Sequence, residues 1–379
     1  MIRKCIFWAH LVVGLLVGVV VLTLCVTGGL LAFEKQILDW AERDIRALPP
    51  SPFAERLHPS VLLAKAAKLN PGKVSNIYWG AVEWGADSQM PVRLYFADRS
   101  LVLLNSWNGE VLGRGAESLR AFFRTTTTVH VNLALLGTGK WMVDVSNAAF
   151  VFLVFSGLWL WWPRRWRWKA LRSSVAIRFD VRGKARDWNW HNALGFWSML
   201  PLLILAASGL VLSFKPVYLG WRDFAGKNLL AVPKPSPALR LASNESPGWN
   251  GVMNAVIRQC PDWHSMILTS SPTNTQGVAT IMVCMGALGQ RTLSRNVSVD
   301  QASQTIIKIK TWENEDVRIR AGMISRYAHT GEILGPWGQL LAAFACLAGL
   351  VLVYTGFALS WRRFFPSPTR GQIEISHQN

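Results

Sequence analysis

The chain has 379 residues, 51% of them hydrophobic and only 16% charged, well below the ~25% charged content of soluble domains. Its formal net charge of +18 invites a nucleic-acid reading. The basic residues instead gather beside long apolar runs, so membrane lipid head groups are their expected partners and nucleic acid is not.

Four runs, at roughly 11–33, 141–162, 193–215 and 337–361, are long enough to cross a bilayer, which needs ~20 mostly apolar residues. Taken in chain order, residues 1–33 carry Arg3, Lys4 and His10 ahead of LVVGLLVGVVVLTLCVTGGLLAF. This run is longer than a signal-peptide core and lacks a small-residue cleavage site, so it reads as an anchor. Residues 34–129 read as an α+β segment. SVLLAKAAK predicts a helix stopped by Asn70-Pro71-Gly72, and SNIYWGAVEW, VRLYFA and LVLLN predict strands, with a turn at Asn108-Gly109. Residues 130–162 begin at His130, pass Gly137, Gly139 and Lys140, and enter an apolar run holding Asp144 and Asn147. Such breaks predict a short interfacial helix before the true span.

Residues 163–190 form a loop crowded with Arg164, Arg165, Arg167, Lys169, Arg172, Arg178, Arg182, Lys184 and Arg186. The positive-inside rule places this loop and both termini in the cytoplasm. His191 opens the third span, 191–215. Residues 216–328 form a second external α+β segment, with a loop at AVPKPSPALRLASNESPG, a helix at GWNGVMNAVIRQC and strands at SMILTS, GVATIMVCMG, NVSVD and TIIKIK. Cys260 and Cys284 share it and could pair in an oxidising compartment. Residues 329–361 run from His329 through Gly335, Pro336 and Gly338 into the fourth span, and 362–379 form a tail beginning Arg362-Arg363.

The chain repeats itself. Gly14, Thr27-Gly28 and Phe33 follow His10 at the offsets by which Gly195, Ser208-Gly209 and Phe214 follow His191. Ser156-Gly157 follow His130 as Thr355-Gly356 follow His329. The four histidines thus form two matched pairs. Neutral imidazole is a common metal ligand, and two on facing helices can hold a haem iron from both sides. Opposite ends of a span lie ~30 Å apart, so the pairs are His10 with His191 and His130 with His329, one haem in each leaflet. Gly14 and Gly195, one turn from their histidines, are expected to leave room for a flat macrocycle. Arg124 and Arg326 near the external pair, and Arg3, Lys4, Lys184 and Arg186 near the other, are candidates to meet haem propionates. Asp144 is expected to face the bundle or pair with Lys140, because lipid exposure would cost ~3 kcal/mol or more. His58, His264 and His377 read as surface or structural residues, and Trp79, Trp84, Trp107, Trp249 and Trp263 chiefly as core. No C-x-x-C-H, Rossmann glycine fingerprint, P-loop, HExxH or GxSxG occurs, so electrons must come from another component, a quinol or a cytoplasmic reductase.

The motifs FWAHLVVGLLVG, HVNLALLGTG, DWNWHNALGFWSMLPLLILAASGL and YAHTGEILGPWGQLLAAFACLAGLVLVYTGF, with the external NSWNGEVLG, resemble the PepSY-associated transmembrane proteins of bacterial inner membranes, a family linked to iron uptake. The resemblance covers nearly the whole chain. It implies four transmembrane helices with two α+β PepSY-like periplasmic domains, and, through a likeness to ferric-siderophore reductases, two b-type haems and a ferric siderophore, for instance a hydroxamate, as substrate. Two other classes fit parts of the pattern. A siderophore or iron permease would use midplane polar groups such as Asp144 and Asn147. A non-redox PepSY binding module would need none of the four histidines.

Overall fold

The computed structural model describes residues 1–57, 61–62, 77–96, 100–163, 168–228, 249–268, 278–285 and 290–365. It divides into two compact units: Met1–Glu34 with Phe123–Asp223 and Gly322–Asn379, and Lys35–Phe122 with Phe224–Ala321. The described helices are α1 (Ile2–Leu31), α2 (Glu34–Glu42), α3 (Glu117–Asn132), α4 (Leu136–Trp161), α5 (Trp168–Val175), α6 (Gly183–Ser213), α7 (Lys215–Asn228), α8 (Trp249–Gln259), α9 (Val317–Thr330) and α10 (Gly335–Phe364).

The first unit is a helical bundle. Among the described residues, four segments are long and apolar enough to cross a membrane: Ile2–Glu42, Leu136–Trp161, Gly183–Ser213 and Glu332–Phe364. Two of these begin well before the apolar runs, so His10 and His191 lie about two turns inside α1 and α6 rather than at their mouths. Helix α1 packs on α4 and α10, and α6 packs on the same two, which sets α1 and α6 on a diagonal. The burial pattern is that of a protein solvated by lipid. The inward face of α10 carries Gly338, Ala342, Ala345, Ala348, Gly349 and Thr355, while Leu340, Leu341, Phe344 and Leu347 are exposed. Small residues let helices approach, and large apolar ones meet hydrocarbon.

Glycine permits the reversals that lead into α4 and α10. A Cβ at Gly139 would strike the carbonyl of Asn132, and one at Gly338 would strike that of Gly331. The chain turns there through positive φ at Leu133 and Ala134 (both 55°) in one case and at Gly331 (77°) in the other. Each reversal leaves a histidine on its own short helix: His130 on α3 and His329 on α9.

The second unit is α+β. Its strands are β1 (Ile77–Gly85), β2 (Val92–Phe96), β3 (Leu101–Leu104), β4 (Val111–Gly113), β5 (Trp263–Leu268), β6 (Val278–Met285), β7 (Gln290–Asp300) and β8 (Ile306–Lys310). The sequence suggested two separate external domains. The strands instead join into one antiparallel sheet of order β4-β3-β2-β1-β5-β6-β7-β8. The seam is β1 against β5, with Val82 opposite Leu268 and Trp84 opposite Met266. An unpaired strand edge is a liability, and each half covers the edge of the other. One sheet face buries Val82, Trp84, Val92, Leu94, Met266, Ile281, Val283, Val297 and Val299 with Val252 and Val256 of α8. Trp84 and Trp263 belong to or pack on this core, and Trp107 donates from its indole to the Ala47 and Ser88 carbonyls. The side chains of Trp79 and Trp249, the helix expected beyond residue 62, the loop at 231–248, His58 and His377 lie outside the described residues.

Buried Glu42 organises the start of this unit. It accepts from the Ala116 amide at 3.1 Å and from Arg120 at 2.7–2.9 Å. Arg93 lies 3.7 Å from it and also faces Asp39 and Glu83. Burial opposes the Arg93 charge, but Glu83, Tyr95, Asp39 and Glu42 outweigh it and raise its pKa. Cys260 and Cys284 are buried thiols that are not joined as a disulfide. Burial raises the Cys260 pKa, opposed by Arg295, with which the thiol forms a hydrogen bond.

Candidate functional site

Four side-chain hydrogen bonds organise the bundle, and all follow one rule. A histidine Nδ1 on one helix meets the hydroxyl of a Ser/Thr-Gly dyad on another. His10 pairs with Ser156 at 2.8 Å, His130 with Thr27 at 2.8 Å and His191 with Thr355 at 2.9 Å. His329 lies 3.3 Å from the Ser208 hydroxyl and 2.9 Å from the Leu205 carbonyl one turn earlier. Carbonyls at the same place, those of Leu24 and Leu352, also face His130 and His191; there the hydroxyl makes the hydrogen bond.

Each hydroxyl already donates its proton to its own helix. Thr27 donates to the Thr23 carbonyl, Ser156 to Phe152 and Thr355 to Val351, each at 2.7 Å, and Ser208 donates to Ile204. A hydroxyl has one hydrogen. It must therefore accept from the imidazole, and this assigns the proton to Nδ1 in all four rings. Nε2 is left as a bare lone pair, and among the described residues it has no hydrogen-bond partner. A free imidazole nitrogen whose twin is oriented by a hydrogen bond is the arrangement of a metal ligand with its supporting shell.

The glycine of each dyad makes room for the ring. A Cβ at Gly28 would stand 3.3 Å from Cε1 of His130, at Gly157 3.4 Å from His10, at Gly209 2.9 Å from His329, and at Gly356 3.6 Å from His191. A Cβ at Gly14 would stand 3.8 Å from Leu153 on α4, and one at Gly195 3.6 Å from Leu352 on α10, both ordinary contact.

The histidines gather as two pairs. His130 and His329 face each other with ring centroids 6.1 Å apart and planes inclined by 50°. Two metal–nitrogen bonds of about 2 Å, plus about 1 Å from each nitrogen to its ring centre, span about 6 Å. This pair thus has the separation that one six-coordinate iron between two imidazoles requires. His191 lies near His10 across the α1–α6 diagonal. From His10 to Thr27, the residue that anchors the other pair, α1 rises about 25 Å. The donor set, the bare nitrogens and the glycine cradles fit bis-histidine haem at both levels.

Over residues 7–363 the chain matches the model of the PepSY-associated TM region. It belongs to that family. No curated protein matches it. In this PepSY-associated protein the cationic residues near the histidines are placed unevenly. Arg124, half-buried, lies nearly two turns before His130, whereas Arg326 is exposed one turn before His329. Arg3 donates to the Leu160 and Trp162 carbonyls at the end of α4, and Lys4 and Lys184 are exposed. Arg186 and Arg362 both engage buried Asp187, one turn before His191.

Asp144 pairs with Lys140 at 2.8 Å, and Lys140 also donates to the Ser213 carbonyl. Asn147 donates to the Ala206 carbonyl at 3.0 Å. The second Asp144 oxygen, Oδ1, is buried without a hydrogen bond. The sequence had marked Thr27, Ser156, Ser208 and Thr355 only as repeat signposts. Their recurrence at fixed offsets from the histidines was the signal of a shared role. Asp187 had no such repeat partner, since Ile6 occupies the matching place before His10.

Proposed function

We propose that this protein is a dihaem b-type membrane oxidoreductase of the bacterial inner membrane, with both termini cytoplasmic, that reduces ferric iron held by a siderophore on the periplasmic side. The observation that carries the reading is the set of four imidazoles with Nδ1 tied down and Nε2 bare, gathered in two pairs, of which His130 and His329 face each other at 6.1 Å. His10 and His191 would hold one haem, and His130 and His329 the other. Haem bound in this way gives and takes one electron at a time. The chain's own contribution is to fix three ring orientations through hydroxyls and that of His329 chiefly through the Leu205 carbonyl, to clear their edges with four glycines, and to exclude water from both sites by packing.

The repeat-matched contacts support an internal duplication in which each half supplies one ligand to each site. The external pair sits on α3 and α9, off the spans, where a bulky iron chelate can approach. One electron converts Fe(III) to Fe(II), which hard oxygen ligands such as hydroxamates hold less tightly, so the iron is released. A permease reading is less favoured, because Asp144 and Asn147 are taken up by Lys140 and the Ala206 carbonyl.

The test is to reduce the purified protein anaerobically, add a ferric hydroxamate siderophore, and trap Fe(II) with a ferrous-specific chelator. The reading predicts reoxidation of the protein with one Fe(II) trapped per electron lost. A protein that stays reduced in the presence of the chelate contradicts it.

A further inference from the structure

The chain holds no nucleotide-binding motif, so its electrons come from outside, and a cavity in the bundle bears on their source. An open groove of about 500 Å³ lies between α1 and α10, lined by Leu15, Tyr354, Phe357, Ala358, Trp361 and Arg362 among others. Its size and nearly all-apolar walls, with a few polar groups, suit a small lipophilic ligand. The cavity is open on the flank of the bundle, where Tyr354 and Trp361 remain 56% and 66% exposed. That flank faces lipid rather than water.

Two connections tie the cavity to the His10–His191 pair. Tyr354 and Phe357 bracket Thr355-Gly356, the dyad that holds and clears His191, and Phe357 also packs on Gly18 of α1. Polar groups converge at one end of the cavity. Arg362 pairs with buried Asp187, Asp187 pairs with Arg186, and Arg186 reaches Tyr354. The matching place in the other half holds Pro163 and Ile6, so the bundle fold does not demand this charged group.

We infer that this cavity binds a membrane quinol, the donor that supplies the reductase proposed above, on which the inference rests. The ring would lie among Phe357, Ala358 and Leu15, with its oxygens toward Tyr354 and Arg362. Oxidation breaks the two O–H bonds of the quinol to give quinone, two protons and two electrons. The electrons leave singly for the one-electron carrier held at His10 and His191. The protons leave to water at the arginine-rich end of the bundle.

The experiment uses full-length protein in lipid nanodiscs and a short-tailed azido-quinone as photolabel. Label should map to Leu15 and the Tyr354–Phe365 segment and be competed by unlabelled quinone. The corresponding short-tailed quinol should reduce the haem. Ala358→Trp, or Leu15→Trp on the opposite wall, should slow that reduction by about tenfold or more, as expected when one large side chain overfills a site. Reduction by dithionite should be unchanged. Label elsewhere, or haem that dithionite reduces and quinol does not, overturns the quinol site alone. So does loss of one haem in both tryptophan variants, which would give the cavity to the macrocycle itself. A chain with no haem overturns this inference and the proposed function together.

Discussion

Replacing Thr27 or Thr355 by valine removes a hydroxyl while keeping its shape. The Nδ1–H of His130 or His191, now bonded at 2.8 or 2.9 Å, would be left with the Leu24 or Leu352 carbonyl as its remaining acceptor. Losing the hydroxyl's hydrogen bond costs about 0.5–1.5 kcal/mol, roughly a twofold to tenfold loss of affinity at 1.4 kcal/mol per decade. Removing a supporting partner behind a metal-bound histidine acts in the same direction. We therefore expect Thr27→Val to weaken haem retention at the His130–His329 pair, and Thr355→Val to weaken it at the His10–His191 pair. Ser156→Ala should cost more than Thr355→Val, because Ser156 is the one acceptor for His10 Nδ1 among the described residues. Thr27→Ser and Thr355→Ser should restore retention. Ser208→Ala is the internal control: His329 already donates to the Leu205 carbonyl at 2.9 Å, no donor is stranded, and the loss should stay below about threefold. Haem transfer to excess apomyoglobin, followed by absorbance, measures all of these. Equal retention across the series, or a Ser208→Ala defect as large as that of Thr27→Val, would refute the reasoning.

Gly209→Ala would set a methyl 2.9 Å from His329 and 3.0 Å from Asn147; it should shift the spectrum of that site more than Gly356→Ala, with 3.6 Å of clearance, shifts the other. Asp144→Ala leaves Lys140 with only the Ser213 carbonyl and should lower thermal stability in detergent by about 1 kcal/mol, less than a fully buried pair would lose because Lys140 is half exposed; an unchanged midpoint would count against the pairing. Glu42→Ala strands Arg120 and weakens the hold on Arg93, so the sheet unit should lose about 3 kcal/mol or more and become protease-sensitive before the bundle does; equal sensitivity of the two units would contradict this. Hydrogen bonds from the Ser303 amide and hydroxyl, and then the Ala302 amide, lower the Asp300 pKa. Its contribution is present above the unfolded carboxylate value of about 3.9 and is lost as pH falls through the lowered folded value. Asp300→Asn should therefore flatten the acid limb of the stability curve, and a parallel curve would contradict the assignment.

Much of the bundle was legible because hydropathy and bilayer thickness leave few alternatives to a spanning helix. The histidine pairs were legible because a repeat imposes symmetry on the offsets. What escaped notice depended on contacts between distant residues. His130 and Thr27 are 103 residues apart, and only the packing of α3 against α1 reveals that one supports the other. The β1–β5 seam joins residues nearly 190 positions apart, and alternation along a strand reports which face is buried but not which neighbour pairs with it. The apolar runs marked the spans but not where their helices begin, because polar first turns, as at Gly183–Asn189, carry no hydropathy signal.

The central claim is that two facing histidine pairs each hold a haem. Purified protein should show a Soret band that shifts on dithionite reduction and a content of two haems per chain. Replacing His130 and His329 together by alanine should leave one haem, and replacing His10 and His191 should leave the other. No Soret band in the intact protein, or two haems retained after either double replacement, would contradict the account.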